Sequence, residues 1–222
     1  MSPVIYWTPE ALWDGRLVFC LGSGPSLGKV SNKCWDEIRV LRNDRGAIVV
    51  GANSASKYAQ ELALGPDALL FTDHNWFEDN EEWVRGFGGL RFTLSRASAK
   101  ECPELLRLEN SWMEEFKPQG VGPLRDGRSS GHRIVSLSVM LGAKYVLLLG
   151  FDMRLVDGRS HYHNEYHNNE NGRLYQDEFI ASFGGWYNDA LRVGCEILNA
   201  TPNSALEEFP QISLEKFLQI KE

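Results

Sequence analysis

The 222-residue sequence has no excess of basic residues and no long apolar run, and each absence excludes a class of protein. The formal net charge is −7 and the sequence pI is about 5.3. This balance argues against nucleic-acid binding by diffuse attraction to phosphates. No apolar run approaches the ~20 residues that a membrane-spanning helix needs. The first ten residues lack a basic region followed by an apolar segment, so no signal peptide is expected.

Cysteine is also scarce, and its four positions show no paired metal-ligand spacing. Scattered thiols of this kind are typical of reduced cysteines, so the sequence predicts a cytoplasmic protein. The apolar fraction of 43% is enough for a substantial core. We therefore expect one domain over residues 1–222.

An apolar run that ends in a glycine-rich turn is the most informative stretch near the start of the chain. Residues 17–21 read Leu-Val-Phe-Cys-Leu, and residues 22–27 read Gly-Ser-Gly-Pro-Ser-Leu. The run predicts a buried parallel strand, and free amides in the turn and in a helix after it would form an anion site. The spacing matches neither the dinucleotide-binding G-x-G-x-x-G nor a P-loop. A plain strand-to-helix turn is the alternative interpretation of the pattern.

Further apolar runs, at residues 47–52, 68–71 and 144–150, alternate with segments of helical periodicity. This alternation predicts an α/β fold, a Rossmann-like, mainly parallel sheet with helices on both faces. Ligands of such sheets bind beyond the carboxyl ends of the strands. Polar residues follow each strand there, so we expect these side chains to converge at one edge: Ser23, Asn53, Asp73, Ser129, Ser130 and Asp152.

Three other segments carry predictions. The polar stretch over about residues 152–175 is long for a connection in a compact domain, which is typical of a lid. Residues 95–128 predict a variable connection with short helices. Residues 176–193 predict a helix that Gly184 and Gly185 bend or interrupt, and Thr8-Pro9-Glu10 predicts the start of a short helix before the first strand.

Four stretches together resemble the bacterial lipooligosaccharide sialyltransferases. Residues 22–27 resemble their Gly-Asn-Gly-Pro-Ser-Leu opening, and residues 129–152 resemble their Ser-Gly helix and following strand. Residues 160–162, Ser-His-Tyr, and residues 201–206, Thr-Pro-Asn-Ser-Ala-Leu, match two further motifs in the same order. A related Gly-x-Gly-Pro-Ser-Leu opening occurs in the flagellin-associated and archaeal pterin pyrophosphokinase-like proteins.

The resemblance implies a transferase with a lid that closes over a CMP-sugar and with no required cofactor. His161 would be the general base that deprotonates an acceptor hydroxyl, and Tyr162 or Tyr166 would assist departure of the phosphate. The expected partners are a nucleotide or nucleotide sugar and an unidentified acceptor, with a homo-oligomer left open. The residues expected to bind the nucleotide are Gly22, Ser23, Gly24, Asn53, Asp73, Ser130, Gly131 and Asp152.

Two departures from the family pattern keep other functions open. Ser23 and Asp73 stand where the family carries asparagine. A carboxylate facing a phosphate is repulsive unless it binds a metal, pairs with a cation or contacts only a ribose hydroxyl. Asp73, with or without Asp152, could therefore bind Mg²⁺ in a pyrophosphokinase or another phosphoryl-transfer enzyme. A non-catalytic nucleotide-binding module is the third hypothesis. The chain shows no basic C-terminal extension, which does not favour a membrane-bound acceptor.

Histidines and arginines near these motifs have two interpretations each. Residues 160–167 hold three of the five histidines, which indicates either a solvated lid or a transition-metal site completed by Glu165 or His74. His132 is either a ligand contact or a hydrogen-bonded histidine at a helix start. The remaining candidates either neutralise phosphates or are surface arginines: Arg125, Arg128 and Arg133.

Overall fold

The computed structural model describes residues 11–111, 115–117, 123–164 and 175–220. The strands of these residues are β1 Leu17–Leu21, β2 Ile48–Ala52, β3 Ala68–Phe71, β4 Leu90–Thr93, β5 Leu106–Arg107, β6 Asn110–Ser111, β7 Leu124–Arg125, β8 Tyr145–Leu149 and β9 Glu196–Asn199. Seven of them form a central sheet in the order β5-β4-β3-β2-β1-β8-β9, in which every neighbouring pair is parallel. A separate two-stranded ladder pairs β6 with β7.

Helices connect the strands, and local side chains determine where several of them begin. The helices are α1 Asn32–Arg45, α2 Ser54–Glu61, α3 His74–Gly86, α4 Arg96–Glu101, α5 Ser130–Met140, α6 Trp186–Arg192 and α7 Leu214–Ile220. Ser31 accepts a hydrogen bond from the Cys34 amide at the start of α1, and Gly46 in the left-handed region ends that helix. Ser95 caps α4 by accepting from the Ser98 amide.

Helices pack on both faces of the sheet, which confirms the predicted α/β architecture. Residues 18–21 of β1 are fully buried, and alternate side chains point to opposite faces. Val18 and Cys20 belong to the core under α5 and α6, whereas Phe19 and Leu21 belong to the core under α1, α2 and α7. Burial on both faces is why this strand reads as a continuous apolar run.

The strand order changes direction at β1. Strands β2 to β5 extend the sheet to one side of β1 in sequence order, whereas β8 and β9 lie on the other side. The topological switch point is therefore the crevice beyond the carboxyl ends of β1 and β8, where Gly22 and Gly150 leave the sheet.

The structure differs from the prediction in two connections. Residues 95–128 contain α4 but also three strands of two residues each, and one of them, β5, extends the main sheet. The helix predicted over residues 176–193 is divided into a π-helical turn, Tyr175–Ile180, a 3-10 turn, Ala181–Phe183, and α6. Interruption at Gly184 and Gly185 is confirmed, since Gly185 has a φ of 80°.

Some predictions fall on segments that the structure does not describe. The helix start predicted at residues 8–10 and residues 165–174 of the predicted lid lie outside the described residues. Within the described ranges, every helix is too short or too polar to cross a membrane.

Candidate functional site

A cavity of about 480 Å³ lies at the carboxyl edge of the sheet, in the size range of small-molecule sites. The exits of β1, β2 and β8, the start of α5 and the segments around residues 160 and 175 form its wall. Seven of the eight residues predicted to bind a nucleotide line it, together with the predicted base His161. The lining residues are Gly22, Ser23, Gly24, Ala52, Asn53, Ser129, Ser130, Gly131, Gly150, Phe151, Asp152, Met153, Ser160, His161, Tyr175 and Phe179.

The glycine turn packs directly against the exit of β8. The Gly22 amide donates to the Leu149 carbonyl at 2.8 Å, and the Gly24 amide donates to the Gly150 carbonyl at 2.9 Å. A Cβ on Gly24 would collide with the Asp152 carboxylate, so this close approach requires glycine. The sequence predicted free amides in this turn, but the Gly22 and Gly24 amides are not free for an anion, because both are bonded to carbonyls. A single 3-10 turn, Leu27–Lys29, follows the glycine turn, and α1 begins after it at Asn32.

Asp152 joins the β8 exit to the same turn. One carboxylate oxygen accepts from Ser26 Oγ at 2.7 Å and from the Ser26 amide at 3.3 Å. Burial raises the pKa of the Asp152 carboxyl, and the bonds from Ser26 oppose this shift. Asp152 thus offers the cavity a hydrogen-bond acceptor, which suits a ligand hydroxyl better than a phosphate.

His161 also contacts the glycine turn. Its Nδ1 lies 3.1 Å from Ser23 Oγ, and the next residue, Tyr162, donates its amide to the Ser23 carbonyl at 3.0 Å. Burial lowers the pKa of His161, and hydrogen bonding to the Ser23 backbone opposes the shift. The imidazole is therefore neutral near pH 7, which is the state that a general base requires.

Tyr162, the second predicted catalytic residue, does not line the cavity. Its hydroxyl donates to the Ser54 carbonyl at 2.8 Å, and its ring contacts Tyr58 with a centroid separation of 4.8 Å. These contacts fasten the segment that carries His161 to the start of α2. Tyr166, the alternative aid to phosphate departure, lies outside the described residues.

Asn53 has a strained backbone where β2 leads into α2. Its φ of 50° and ψ of −125° lie in a region that asparagine rarely adopts. The Asn53 amide donates to the Leu70 carbonyl at 3.1 Å, which holds this conformation against β3. Met153, which also lines the cavity, has a φ of 50° as well. Strained residues of this kind cluster at functional sites, where the surrounding structure maintains them.

The start of α5 points into the cavity through Ser129, Ser130 and Gly131. Amides in the first turn of a helix lack intrahelical acceptors, and the helix dipole favours negative charge there. Of the elements that line the cavity, this helix start therefore has the local charge distribution that suits an anion. His132 follows as a hydrogen-bonded histidine, one of the two interpretations of the sequence.

Several predicted residues lie away from the cavity wall. Asp73 is exposed and caps α3 by accepting from the Asn75 amide at 2.9 Å. Arg125 pairs with Asp189, and Arg133 pairs with Asp126 at 2.7 Å. Arg128 is exposed and lies 4.0 Å from a Glu178 oxygen. Among the described residues, the cavity lining contains no arginine or lysine.

Metal binding is weakly supported by the donors at this site. In the described part of the chain, no three histidine, cysteine, aspartate or glutamate side chains form a group that could hold a metal ion. Asp152 is the one carboxylate lining the described cavity, and Asp73 lies outside it. Mg²⁺ prefers several oxygen ligands in octahedral geometry, so the described residues fit it poorly. Glu165 and His167 lie outside the described residues.

Sequence reasoning missed two aromatic residues of the cavity wall. Tyr175 and Phe179 line the cavity, and the Tyr175 hydroxyl donates to the Ser160 carbonyl at 3.4 Å. Their signal was their place at the end of the predicted lid and just after it, where the chain returns to the sheet edge. The helical stripe containing Phe179 instead indicated a core face.

No protein-family model matches the chain, and no curated protein sequence matches it. One similar solved structure is the MAf glycosyltransferase from Magnetospirillum magneticum AMB-1, with a TM-score of 0.61 and 14% sequence identity. This likeness shows the fold. The alignment covers 97% of this chain and 38% of that protein, so the chain spans well under half of its length. Sialyltransferase-like activity stays a prediction.

Proposed function

We propose that this protein is a glycosyltransferase that moves a sugar from a nucleotide-activated donor, of the CMP-sugar type, to an acceptor hydroxyl. The observation that carries the proposal is the position of His161, a half-buried neutral imidazole that contacts Ser23 within the cavity at the switch point. The similar fold of a glycosyltransferase supports the same class of reaction. Sialyltransferase-like motifs in the sequence suggest the CMP-sugar donor.

In this proposal the donor phosphate binds at the start of α5. The amides of Ser130 and Gly131 lie in the first turn of that helix, and both residues line the cavity. Backbone amides and the helix dipole balance the phosphate charge where the described lining has no cationic side chain. Asp152 repels a phosphate, so it is assigned to a hydroxyl of the ribose or of the sugar.

His161 takes the proton of the acceptor hydroxyl. When its Nδ1–H donates to Ser23 Oγ, the lone pair on Nε2 is the basic one. The acceptor oxygen forms a bond to the anomeric carbon as the bond from that carbon to the phosphate oxygen breaks. The proton passes to Nε2, and the nucleotide leaves with the bonding electrons. Its lowered pKa makes His161 a weaker base but keeps it unprotonated before the reaction.

Ligand binding is tested by a thermal-shift series with CMP, UMP, GDP, ATP and their sugar conjugates, each with and without Mg²⁺. We expect CMP and CMP-sugars to raise the melting temperature, since a ligand at 100 times its Kd stabilises a protein by about 2.7 kcal/mol. The shift should not depend on Mg²⁺. A shift with ATP alone that requires Mg²⁺ and is lost in Asp73→Asn would favour phosphoryl transfer instead.

Catalysis is tested by the release of CMP from CMP-sialic acid in the presence of simple glycoside acceptors. His161→Ala should bind CMP as the unchanged protein does and should lose about 100-fold or more in rate, because a general base contributes at least that factor. His74→Ala is the matched control, since His74 is a part-buried histidine of α3 that does not line the cavity. Normal turnover by His161→Ala would refute the mechanism. Binding with no turnover by the unchanged protein would favour a non-catalytic module.

A further inference from the structure

A second histidine, His132, lies directly behind the cavity wall. It is fully buried in the first turn of α5 and makes hydrogen bonds through both ring nitrogens. Nδ1 lies 2.8 Å from Ser129 Oγ, whereas Nε2 lies 3.0 Å from the Phe179 carbonyl and 2.8 Å from Ser182 Oγ. Ser129 and Phe179 both line the cavity, so His132 connects two of its walls.

The ring of His132 is fixed in one orientation. It stacks on Phe183 with a centroid separation of 3.6 Å and an interplanar angle of 15°, and it meets the edge of Trp186 at 5.5 Å. A Cβ on Gly127 would overlap the ring, so glycine there is required by the close contact. Burial lowers the pKa of His132 to about 3, which keeps the imidazole neutral at physiological pH.

The hydrogen-bond partners determine which nitrogen carries the proton. The Phe179 carbonyl can only accept, and Ser182 Oγ donates its own proton to that carbonyl at 3.0 Å. Nε2 is therefore the N–H donor in the arrangement that satisfies both contacts. In a neutral imidazole Nδ1 is then an acceptor, and the Ser129 hydroxyl must donate its proton to it. Because the Ser129 hydroxyl proton is bonded to Nδ1, Ser129 Oγ can only accept a hydrogen bond from a ligand.

We propose that His132 is a positioning residue that turns Ser129 into a fixed acceptor and thereby selects a ligand with a hydroxyl or N–H group at that point of the cavity. This inference rests on the proposed function where it takes that group to belong to a nucleotide sugar. An ionised phosphate carries no proton to donate, so it is directed to the amides at the start of α5. A sugar or ribose hydroxyl, or a sugar N-acyl amide, fits beside Ser129.

The protonation state is tested without any ligand. Long-range proton–nitrogen correlation spectra of the nitrogen-labelled full chain distinguish the two neutral tautomers of histidine and the charged form. His132 should be the Nε2–H tautomer and should show no change between pH 5.5 and 8. An Nδ1–H tautomer or a charged ring in that range would overturn the proposal.

The effect on the ligand is tested by titrating CMP-sialic acid into variants. Ser129→Ala and His132→Leu should each weaken binding by about five- to tenfold, the effect of one lost hydrogen bond. His132→Asn should rescue much of this loss, because its amide oxygen can accept from Ser129. The Ser129→Ala/His132→Leu double variant should be no weaker than either single variant. Ser136→Ala, a buried serine one turn further along α5, is the control for packing.

Additive losses in the double variant would show that His132 only supports the fold, and would overturn the proposal. If no nucleotide sugar bound the unchanged protein, the proposed function would fail, whereas the spectra would still decide whether Ser129 is held as an acceptor. The two failures are therefore distinguishable.

Discussion

At the scale of single residues, Asn53 has a strained backbone conformation that lowers stability and a position in the cavity lining. Its φ of 50° and ψ of −125° suit glycine, yet the chain carries an asparagine that lines the cavity. Backbone strain of this kind costs about 1–3 kcal/mol, persists only where the surrounding structure maintains it, and clusters at ligand-binding sites. The asparagine amide is therefore a candidate ligand contact.

We predict that Asn53→Gly stabilises the protein and weakens nucleotide binding. Relief of strain by about 1 kcal/mol should raise the melting temperature by roughly 2–4 °C, measured by calorimetry. Loss of the amide should weaken CMP binding several-fold, measured by isothermal titration. Ala63→Gly is the control, because Ala63 has a φ of 54° but lies two residues beyond the end of α2, outside the cavity lining. Ala63→Gly should stabilise the protein without changing its affinity for CMP. Unchanged CMP binding by Asn53→Gly would remove Asn53 from the site.

The residues of the candidate site divide into those that the sequence could predict and those that it could not. Gly22 and Asn53 directly follow buried apolar strands and Asp152 comes three residues after one, so all three were predictable because strand ends in a parallel sheet share one edge. Asp73 follows a strand too, but its side chain bonds its own helix start and stays exposed. The apolar pattern of the sequence predicts which residues lie at the carboxyl edge of the sheet. The direction in which their side chains point depends on tertiary contacts.

At the scale of elements, the segment before the undescribed residues 165–174 is docked rather than loose. The Tyr162 amide and hydroxyl both bond backbone carbonyls, of Ser23 and Ser54 respectively. These two bonds hold His161 against the glycine turn. The sequence predicted a lid here because the segment is polar, and it could not show that one tyrosine fastens part of it to the sheet edge.

We predict that Tyr162→Phe loosens this segment. Loss of the bond to the Ser54 carbonyl, about 1 kcal/mol, should speed hydrogen exchange of the amides in residues 160–164 about fivefold relative to the sheet. Tyr187→Phe is the control, since Tyr187 is a half-buried tyrosine of α6 that packs on Phe209. In Tyr187→Phe, hydrogen exchange near residue 162 should match that of the unchanged protein. If Tyr162→Phe also exchanged at the rate of the unchanged protein, stacking on Tyr58 would be sufficient to hold the segment.

At the scale of the whole molecule, the sheet was predictable because β1, β2, β3 and β8 are buried on both faces and read as apolar runs. Their alternation with helices defines the parallel arrangement. Strands β5, β6 and β7 were missed because two residues carry no periodic signal. The π-helical turn at Tyr175–Ile180 was also missed, since its aromatic spacing is that of an ordinary helix.

The stability of the molecule should depend on pH through His132. Its folded pKa of about 3 lies well below the ordinary 6.5, so between these values the unfolded chain binds one more proton than the folded chain. The free energy of unfolding therefore falls as the pH decreases from 6.5, by about 1.4 kcal/mol per pH unit for this residue. Above pH 6.5 both states are neutral at His132 and the contribution is constant.

We predict that His132→Gln removes this part of the pH dependence. Between pH 7 and pH 5, urea unfolding should show a loss of stability in the unchanged protein that exceeds the loss in His132→Gln by about 2 kcal/mol. The variant is expected to be less stable at pH 7, because its amide cannot make both buried bonds. The comparison therefore uses the change in the free energy of unfolding with pH in each protein and not its absolute value.

Two other groups contribute to this pH dependence. The lowered pKa of His161 makes the protein less stable as the pH falls, and the raised pKa of Asp152 has the opposite effect. Both groups are present in the unchanged protein and in His132→Gln, so their contributions to the pH dependence cancel when the two are compared. Parallel slopes would mean that His132 accepts a proton in the folded state, which contradicts a ring held neutral by burial between Ser129 and the Phe179 carbonyl.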